Sequence, residues 1–313
     1  MTYDQGAWQF DCEPTLDDDQ VIQFCRDGYL TFPGVVDAEV NQRACEWLDG
    51  SATAEPSFVP AGMSQADLER IRATHEPSTI LLENWFIWGV LLESAVAGAV
   101  RSLLGAGVGL PVLVSDHSVD CPAPAGEWHY DADAVFGPEL RFVEAFYFPQ
   151  DTPPELGPTE VLTSSHYERR RADPEGDGTA VTSAGPAGTI VVHHQTIQHR
   201  KGASAAAGRR RMLKYSYWRS APPQRDWIQR ADFDPRRADY GVHSVARYAA
   251  HIYAWLCGRG DDYRLVGGQG WPAYDIDQAG PAYGYASAGG YVPDWRKDND
   301  DDYAQPTRVG DYR

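Results

Sequence analysis

The chain has 313 residues, of which 42% are hydrophobic, and a formal net charge of −18. This length and apolar content predict a single large domain with a sizeable core, and the negative charge argues against nucleic acid or an anionic membrane as a partner. Five widely spaced cysteines without a CxxC pair argue against a disulfide framework and against a thiolate zinc site.

The first third of the chain, about 15–108, predicts mainly helices. A capping residue at Thr15 or Asp17, apolar residues at helical spacing and a stop at Gly28 indicate one helix, which leads into the short strand YLTF. Further helices are expected at 37–49, at 64–75 and, as a core helix within the most apolar segment, at 80–105.

Membrane and secretion signals are absent from the sequence pattern. No run of about 18 apolar residues would span a bilayer, because the most apolar segment carries Glu83, Asn84 and Glu93. The acidic N-terminus lacks the basic start and apolar region of a secretion signal. We therefore expect a cytoplasmic protein.

Between 109 and 220 the sequence changes to short β-rich runs separated by turn residues. These runs are LPVLVSDHSV, EWHYD, LRFVEAFYF, PTEVLTS, GTIVVHH and RMLKYSYW. They predict an antiparallel sandwich or barrel of the jelly-roll type, with a small-molecule site at one end. A helix at 240–258 and an irregular, aromatic tail at 259–313 form the C-terminal part, 221–313, of one domain.

The motif EWHYD is the first candidate for chemistry. Side chains two positions apart on a strand share a face, so His129 and Asp131 would point the same way, with Tyr130 opposite. Asp133 is expected in a turn or in contact with the ligand residues. A third ligand would complete the 2-His-1-carboxylate set of non-haem iron oxygenases. His193, His194 and His199, which follow the run GTIVV, are the candidates.

The order of four segments resembles the phytanoyl-CoA dioxygenase family. The segments are FCRDGYLTFPGVV (24–36), EWHYD, GPTEVLTSSH (157–166) and HHQTIQHRKGASAAAGRRRMLKYSY, and the resemblance covers about 20–220. It implies a mainly β fold with flanking helices, built on a double-stranded β-helix (a cupin-like jelly roll). It also implies an Fe(II)- and 2-oxoglutarate-dependent oxygenase that consumes O2.

The resemblance implies the ligand roles residue by residue. His129 and Asp131 would be the proximal metal ligands and His199 the distal one. His194 occupies the place five residues earlier where the family has an aromatic residue or another histidine. His193 and His194 are therefore expected to pack in the strand or to line the cavity wall.

The family's 2-oxoglutarate-binding arginine follows the distal histidine by eleven residues, which selects Arg210 from the run Arg209–Arg211. A planar guanidinium binds a carboxylate through two parallel hydrogen bonds, which a lysine does less well. Ser115 and His117 are further candidates for the cofactor pocket, and Phe146 or Tyr147 for the substrate pocket.

Two positions depart from the family pattern. Lys201 stands where many members carry a serine that contacts the cosubstrate, and Thr163 replaces the proline of the PGSH element. Ser165 and His166, in the same element, are expected to be structural.

The expected reaction is hydroxylation of an unactivated C–H bond in a small molecule, such as a natural product or its precursor. Related halogenases lack the carboxylate ligand, whereas Asp131 is present here. Desaturation, epoxidation or cyclisation stay open. So do a metal enzyme independent of 2-oxoglutarate and a metal-free binding protein. The tail 260–313 is a candidate lid, and nothing in the sequence indicates an oligomeric state.

Overall fold

Seven parts of the chain are described by the computed structural model: residues 1–4, 7–50, 64–72, 76–131, 136–167, 179–224 and 243–258. All structural observations refer to these residues. The predicted tail at 259–313 and Asp133 lie outside them, so the expectations for both stay predictions.

The first helix, α1 (Asp18–Asp27), has the ends that its sequence predicts. The Asp17 carboxylate accepts a hydrogen bond from the Gln20 amide at 2.8 Å, and the Gln20 side chain accepts one from the Asp17 amide at 3.0 Å. This reciprocal capping box satisfies two amide donors at the helix start. Gly28 ends the helix with φ of 86°, a conformation that glycine adopts at little cost.

The other helices also lie mainly in the first third of the chain, as predicted. They are α2 (Ala38–Leu48), α3 (Gln65–Arg72), a 3₁₀ turn (Pro77–Leu82), α4 (Asn84–Phe86), a π-helical turn (Ile87–Leu91), α5 (Ser94–Leu104) and α6 (His243–Leu256).

The prediction of a core helix throughout 80–105 is wrong. The segment is divided into Asn84–Leu91 and Ser94–Leu104, which are bent by 68° relative to each other. Glu93 causes the division, because its carboxylate accepts the Ala95 and Val96 amides at 2.9 and 3.1 Å and so starts a new helix. No single helix among the described residues is long and apolar enough to cross a membrane, although this bent pair would pass on length and composition together.

Thirteen strands are present in the described parts of the chain, and all of their pairings are antiparallel. They are β1 (Thr2–Asp4), β2 (Ala7–Phe10), β3 (Tyr29–Phe32), β4 (Val108–Gly109), β5 (Val114–Asp116), β6 (Val119–Cys121), β7 (Phe142–Phe148), β8 (Thr159–Leu162), β9 (Ala180–Thr182), β10 (Thr189–His194), β11 (His199–Lys201), β12 (Gly208–Arg210) and β13 (Leu213–Trp218). The sequence did not predict β1 and β2.

The strands form one large sheet and smaller ones, in the jelly-roll architecture expected from the sequence. The large sheet has the order β1-β2-β4-β13-β7-β10-β3, with β5 also paired to β13. A second sheet has the order β11-β8-β9, and β12 pairs with β6. EWHYD was predicted to be a strand, but it contributes only a single antiparallel bridge, between His129 and His199.

The two faces of the large sheet have different roles. On β7, the side chains of Val143, Ala145 and Tyr147 join the core that packs against the helices. The alternate residues Phe146 and Phe148 join a second cluster inside the jelly roll, with Val161, Val191, Ile197 and Met212. This alternation decides which side chains reach the site.

Candidate metal centre

His129, Asp131 and His199 come together at one end of the jelly roll. One potential ligand atom from each lies within 4.8 Å of the other two. The backbones of His129 and His199 exchange both amide hydrogen bonds, at 3.1 Å each, which places the two imidazoles side by side with ring centroids 4.5 Å apart. The Asp131 carboxylate lies 3.8 Å from Nε2 of His199.

The hydrogen bonds of the two histidines leave Nε2 of each ring available to a metal. Nδ1 of His129 lies 3.1 Å from the Glu127 carbonyl, and Nδ1 of His199 lies 3.2 Å from the Ile197 carbonyl. A carbonyl only accepts, so each Nδ1 carries the proton and each Nε2 presents a lone pair.

The surroundings favour the metal-binding protonation states. Burial lowers the pKa of His199 well below its ordinary value, so the ring is neutral at neutral pH. Burial alone would raise the pKa of Asp131, but His199, Glu144 and Lys214 together hold it below its usual range. Two imidazole nitrogens and one carboxylate are the donors of the facial iron site, so the residues present fit such a metal.

A second ion pair lies beside the triad. Nζ of Lys214 contacts the Asp131 carboxylate oxygen Oδ2 and lies 3.1 Å from Oε1 of Glu144. The Lys214 and Glu144 side chains are only 12% and 7% exposed. Burial raises the pKa of Glu144, whereas the two carboxylates outweigh burial and raise the pKa of Lys214.

The two other candidate histidines lie in different places. The His193 ring packs against Phe146 with centroids 4.4 Å apart and lies 5.6 Å from the His199 ring, so it forms part of the interior wall. Burial lowers the pKa of His193 to about 4. His194 points to the helix side, where its ring lies 6.2 Å from that of Phe24.

Arg210 is a buried cation, only 2% exposed. Its two terminal nitrogens donate to the carbonyls of Gly157 and His117, at 2.8 and 3.0 Å, and Nε is buried without a partner. No described carboxylate forms an ion pair with it. Burial lowers its pKa, yet a guanidinium stays charged at neutral pH. The residue is therefore suited to an acidic ligand.

A further buried polar atom lies near this guanidinium. Thr159 is 2% exposed, and its hydroxyl has no partner among the described residues. It follows Gly157, which accepts from Arg210, by two residues, and it pairs across the ladder with Lys201.

Ser115 and His117 lie at the edge of the site. Ser115 pairs with Lys214 across β5 and β13 and is exposed. The His117 side chain is also exposed, whereas its carbonyl accepts from Arg210. The backbone of His117 is thus hydrogen-bonded to the candidate cosubstrate residue. Partial desolvation and the charges of Lys214 and Arg210 lower the pKa of the His117 side chain, and the charge of Asp131 opposes them.

The structure separates the two candidates for the substrate pocket. Phe146 faces the interior, with its ring centroid 5.4 Å from that of His199. Tyr147 faces the helices and donates a 2.8 Å hydrogen bond from its hydroxyl to Oδ1 of Asn41. Neighbouring strand residues point to opposite faces, so placing Tyr147 in the pocket is wrong.

The remaining residues of the motifs are structural. Tyr130 faces away from the triad, packs edge-on against Phe136 and donates to the Ser165 carbonyl at 3.0 Å. The Ser165 hydroxyl donates to the Leu162 carbonyl at 2.7 Å. Nε2 of His166 lies 3.0 Å from the Cys25 carbonyl, so this ring ties its loop to α1.

Sequence reasoning missed Lys214, Glu144 and Thr159. The signal available was a charged residue within an otherwise apolar strand, as in FVEAFYF and LKYSYW, since such a residue either faces solvent or sits in a buried pair. Thr159 had no such signal, because threonine is common in strands.

Comparisons with known proteins were made for both sequence and structure. The family model of phytanoyl-CoA dioxygenase (PhyH) matches residues 24–212. No curated protein matches the chain significantly.

Several solved structures are similar. AviO1 from Streptomyces viridochromogenes Tue57 is 20% identical over 67% of this chain and 98% of that chain, with a TM-score of 0.44. The non-heme alpha ketoglutarate dependent carbocyclase SnoK from nogalamycin biosynthesis is 19% identical over 66% and 87%, with a TM-score of 0.46. HygX from Streptomyces hygroscopicus, solved with nickel, 2-oxoglutarate and hygromycin B, is 15% identical over 72% and 94%, with a TM-score of 0.48.

The family match covers more than half of the chain and includes all three members of the triad, together with Arg210. The protein therefore belongs to the phytanoyl-CoA dioxygenase family of iron(II)- and 2-oxoglutarate-dependent oxygenases.

Proposed function

We propose that this oxygenase hydroxylates an unactivated C–H bond of a small molecule, with Fe(II) held by His129, Asp131 and His199. The observation that carries the proposal is the triad itself, whose ligand atoms converge within 4.8 Å inside a jelly roll. A three-residue facial set leaves open positions for a cosubstrate and dioxygen. Bound iron(II), with 2-oxoglutarate and dioxygen, supplies the oxidation of the C–H bond.

The cosubstrate is proposed to bind along the interior toward Arg210. The free Nε–H of the guanidinium and the unpartnered Thr159 hydroxyl would bind its distal carboxylate. In this arrangement the Thr159 hydroxyl takes the role of the serine that many family members carry at the position of Lys201. The Gly157 and His117 carbonyls hold the guanidinium in place before the ligand arrives, which lowers the cost of ordering it.

The substrate is proposed to lie on the interior side of the triad, against Phe146 and His193. The contacting rings of these two residues form a buried wall beside His199 and would exclude water from the reacting carbon. Asp131 favours hydroxylation over halogenation, because a carboxylate at this place leaves no room for a halide ligand. A natural product or its precursor is the proposed substrate class.

The test is a turnover assay with Fe(II), 2-oxoglutarate and O2. We expect succinate to form, and to form faster with a substrate from a panel of small natural products. A product heavier by one oxygen atom supports hydroxylation, whereas loss of two hydrogen atoms indicates desaturation or cyclisation. If the iron-loaded protein forms no succinate under any condition, the proposal is wrong.

A further inference from the structure

Glu144 is a second carboxylate beside the candidate iron site. It lies on β7, and Lys214 Nζ contacts both its carboxylate and that of the ligand Asp131. It pairs across the sheet with His193 on one side and with Ser216 on the other, so it faces the jelly-roll interior. Its side chain is 7% exposed, and Oε2 has no hydrogen-bond partner among the described residues, with Nδ1 of His193 3.8 Å away.

A carboxylate this close to Asp131 is chemically able to ligate the metal. Carboxylate oxygens are ordinary ligands of divalent iron and its substitutes. A fourth protein ligand would take one of the open positions of the facial site. The proposed reaction needs those positions, so something must keep Glu144 away from the metal.

Lys214 has the geometry for that task. Its ammonium group lies between the two carboxylates, in contact with Oδ2 of Asp131 and 3.1 Å from Oε1 of Glu144. Oδ1 of Asp131 is left on the side of His199, 3.8 Å from its Nε2. The lysine thus binds one oxygen of each carboxylate and leaves a single oxygen of Asp131 directed to the triad.

We propose that Lys214 is a positioning residue that keeps Glu144 out of the metal's coordination sphere and restricts Asp131 to one ligating oxygen. This inference rests on the proposed function, because it assumes that the triad holds a divalent metal. It also explains why a buried strand position carries a lysine, where an apolar residue would avoid the cost of burying a charge.

Removal of the Lys214 ammonium group should strengthen metal binding and weaken 2-oxoglutarate binding. Lys214→Met removes a positive charge beside a dication and frees a second carboxylate. Like charges repel and a second carboxylate attracts a dication, so we expect metal binding at least about tenfold tighter than in the wild type. Because Glu144 then occupies an open position, 2-oxoglutarate should bind the metal-loaded variant at least about tenfold more weakly.

The experiment measures two binding constants by calorimetry. Co(II) is titrated into the metal-free protein, and 2-oxoglutarate is then titrated into the Co(II)-loaded protein, while the visible spectrum of Co(II) reports its ligand set. Lys214→Arg keeps the charge and should behave as the wild type. Lys214→Met/Glu144→Gln should bind 2-oxoglutarate as the wild type does. Ser216→Ala, on the same strand and face, is the matched control.

A purely structural lysine would give a different pattern. In that case Lys214→Met would unfold at lower denaturant concentration, while Co(II) and 2-oxoglutarate would bind as in the wild type, and the proposal would be overturned. It is also overturned if the double variant binds 2-oxoglutarate as weakly as Lys214→Met. If Lys214→Met does not fold, Lys214→Gln replaces it with the same expectations. Absence of Co(II) binding in the wild type would instead refute the proposed function.

Discussion

Replacement of Arg210 by methionine should abolish tight 2-oxoglutarate binding. The guanidinium is buried, and the bonds to Gly157 and His117 use only two of its five N–H donors, leaving Nε–H and one N–H on each terminal nitrogen for a ligand. A hydrogen bond to a charged group contributes about 1.5–3 kcal/mol. Two such bonds to the cosubstrate carboxylate, each at the low end of that range, amount to about 3 kcal/mol, so the affinity should fall about 150-fold.

Arg210→Met should affect the stability of the fold less than it affects 2-oxoglutarate binding. Methionine leaves two backbone carbonyls without their donors, but it also removes a buried cation that has no described acid partner. These effects oppose each other, so we expect the free energy of unfolding to change by no more than about 2 kcal/mol.

The assay is calorimetric titration of 2-oxoglutarate into the Ni(II)-loaded protein. Arg209→Met is the matched control, because the adjacent guanidinium is 40% exposed and lies 3.8–3.9 Å from Asp49 and Asp116. The control should bind within about twofold of the wild type. The role of Arg210 would be contradicted if Arg210→Met bound 2-oxoglutarate as tightly as the wild type. It would also be contradicted if Arg209→Met lost as much affinity as Arg210→Met.

Four further changes have defined outcomes. Thr159→Val should weaken 2-oxoglutarate binding about tenfold, and exposed Thr182→Val should not; unchanged binding would remove Thr159 from the site. His199→Ala should eliminate Ni(II) binding measured by calorimetry, whereas His194→Asn should retain it, because His194 faces the helices. Tyr147→Phe should lower the free energy of unfolding in urea by about 1–3 kcal/mol, since it leaves the buried Oδ1 of Asn41 without its hydrogen-bond donor. It should leave turnover unchanged. Gly28→Ala should cost more than about 1–2 kcal/mol, because φ is 86° and a Cβ would lie 2.6 Å from Nδ1 of His166; full stability would contradict this.

Local signals in the sequence predicted many of the elements. The capping residue Asp17 and the stop at Gly28 set the ends of α1, and the run GTIVVHH became β10. The break at Glu93 was missed because a glutamate within an apolar run is also compatible with one continuous helix, and only the capping bonds distinguish the two.

The site could be predicted only in part from the sequence, because it depends on pairing between residues that are far apart in the chain. The spacing within EWHYD indicated a His129 and Asp131 pair, but the bridge to His199 joins residues far apart in sequence, and only the family resemblance pointed to that histidine. Which face of β7 is internal depends on the register with β10 and β13, so the sequence left Phe146 and Tyr147 equivalent. The Lys214 bridge between Asp131 and Glu144 depends on the same registers and on the position of the EWHYD loop.

The proposed function requires that His129, Asp131 and His199 hold one iron that 2-oxoglutarate chelates. The most direct measurement is an anaerobic titration of the protein with Fe(II) and 2-oxoglutarate, followed by visible absorption. We expect a charge-transfer band that saturates at one iron per chain and is lost in Asp131→Ala. A wild-type protein without the band, or a band of equal strength in Asp131→Ala, would contradict it.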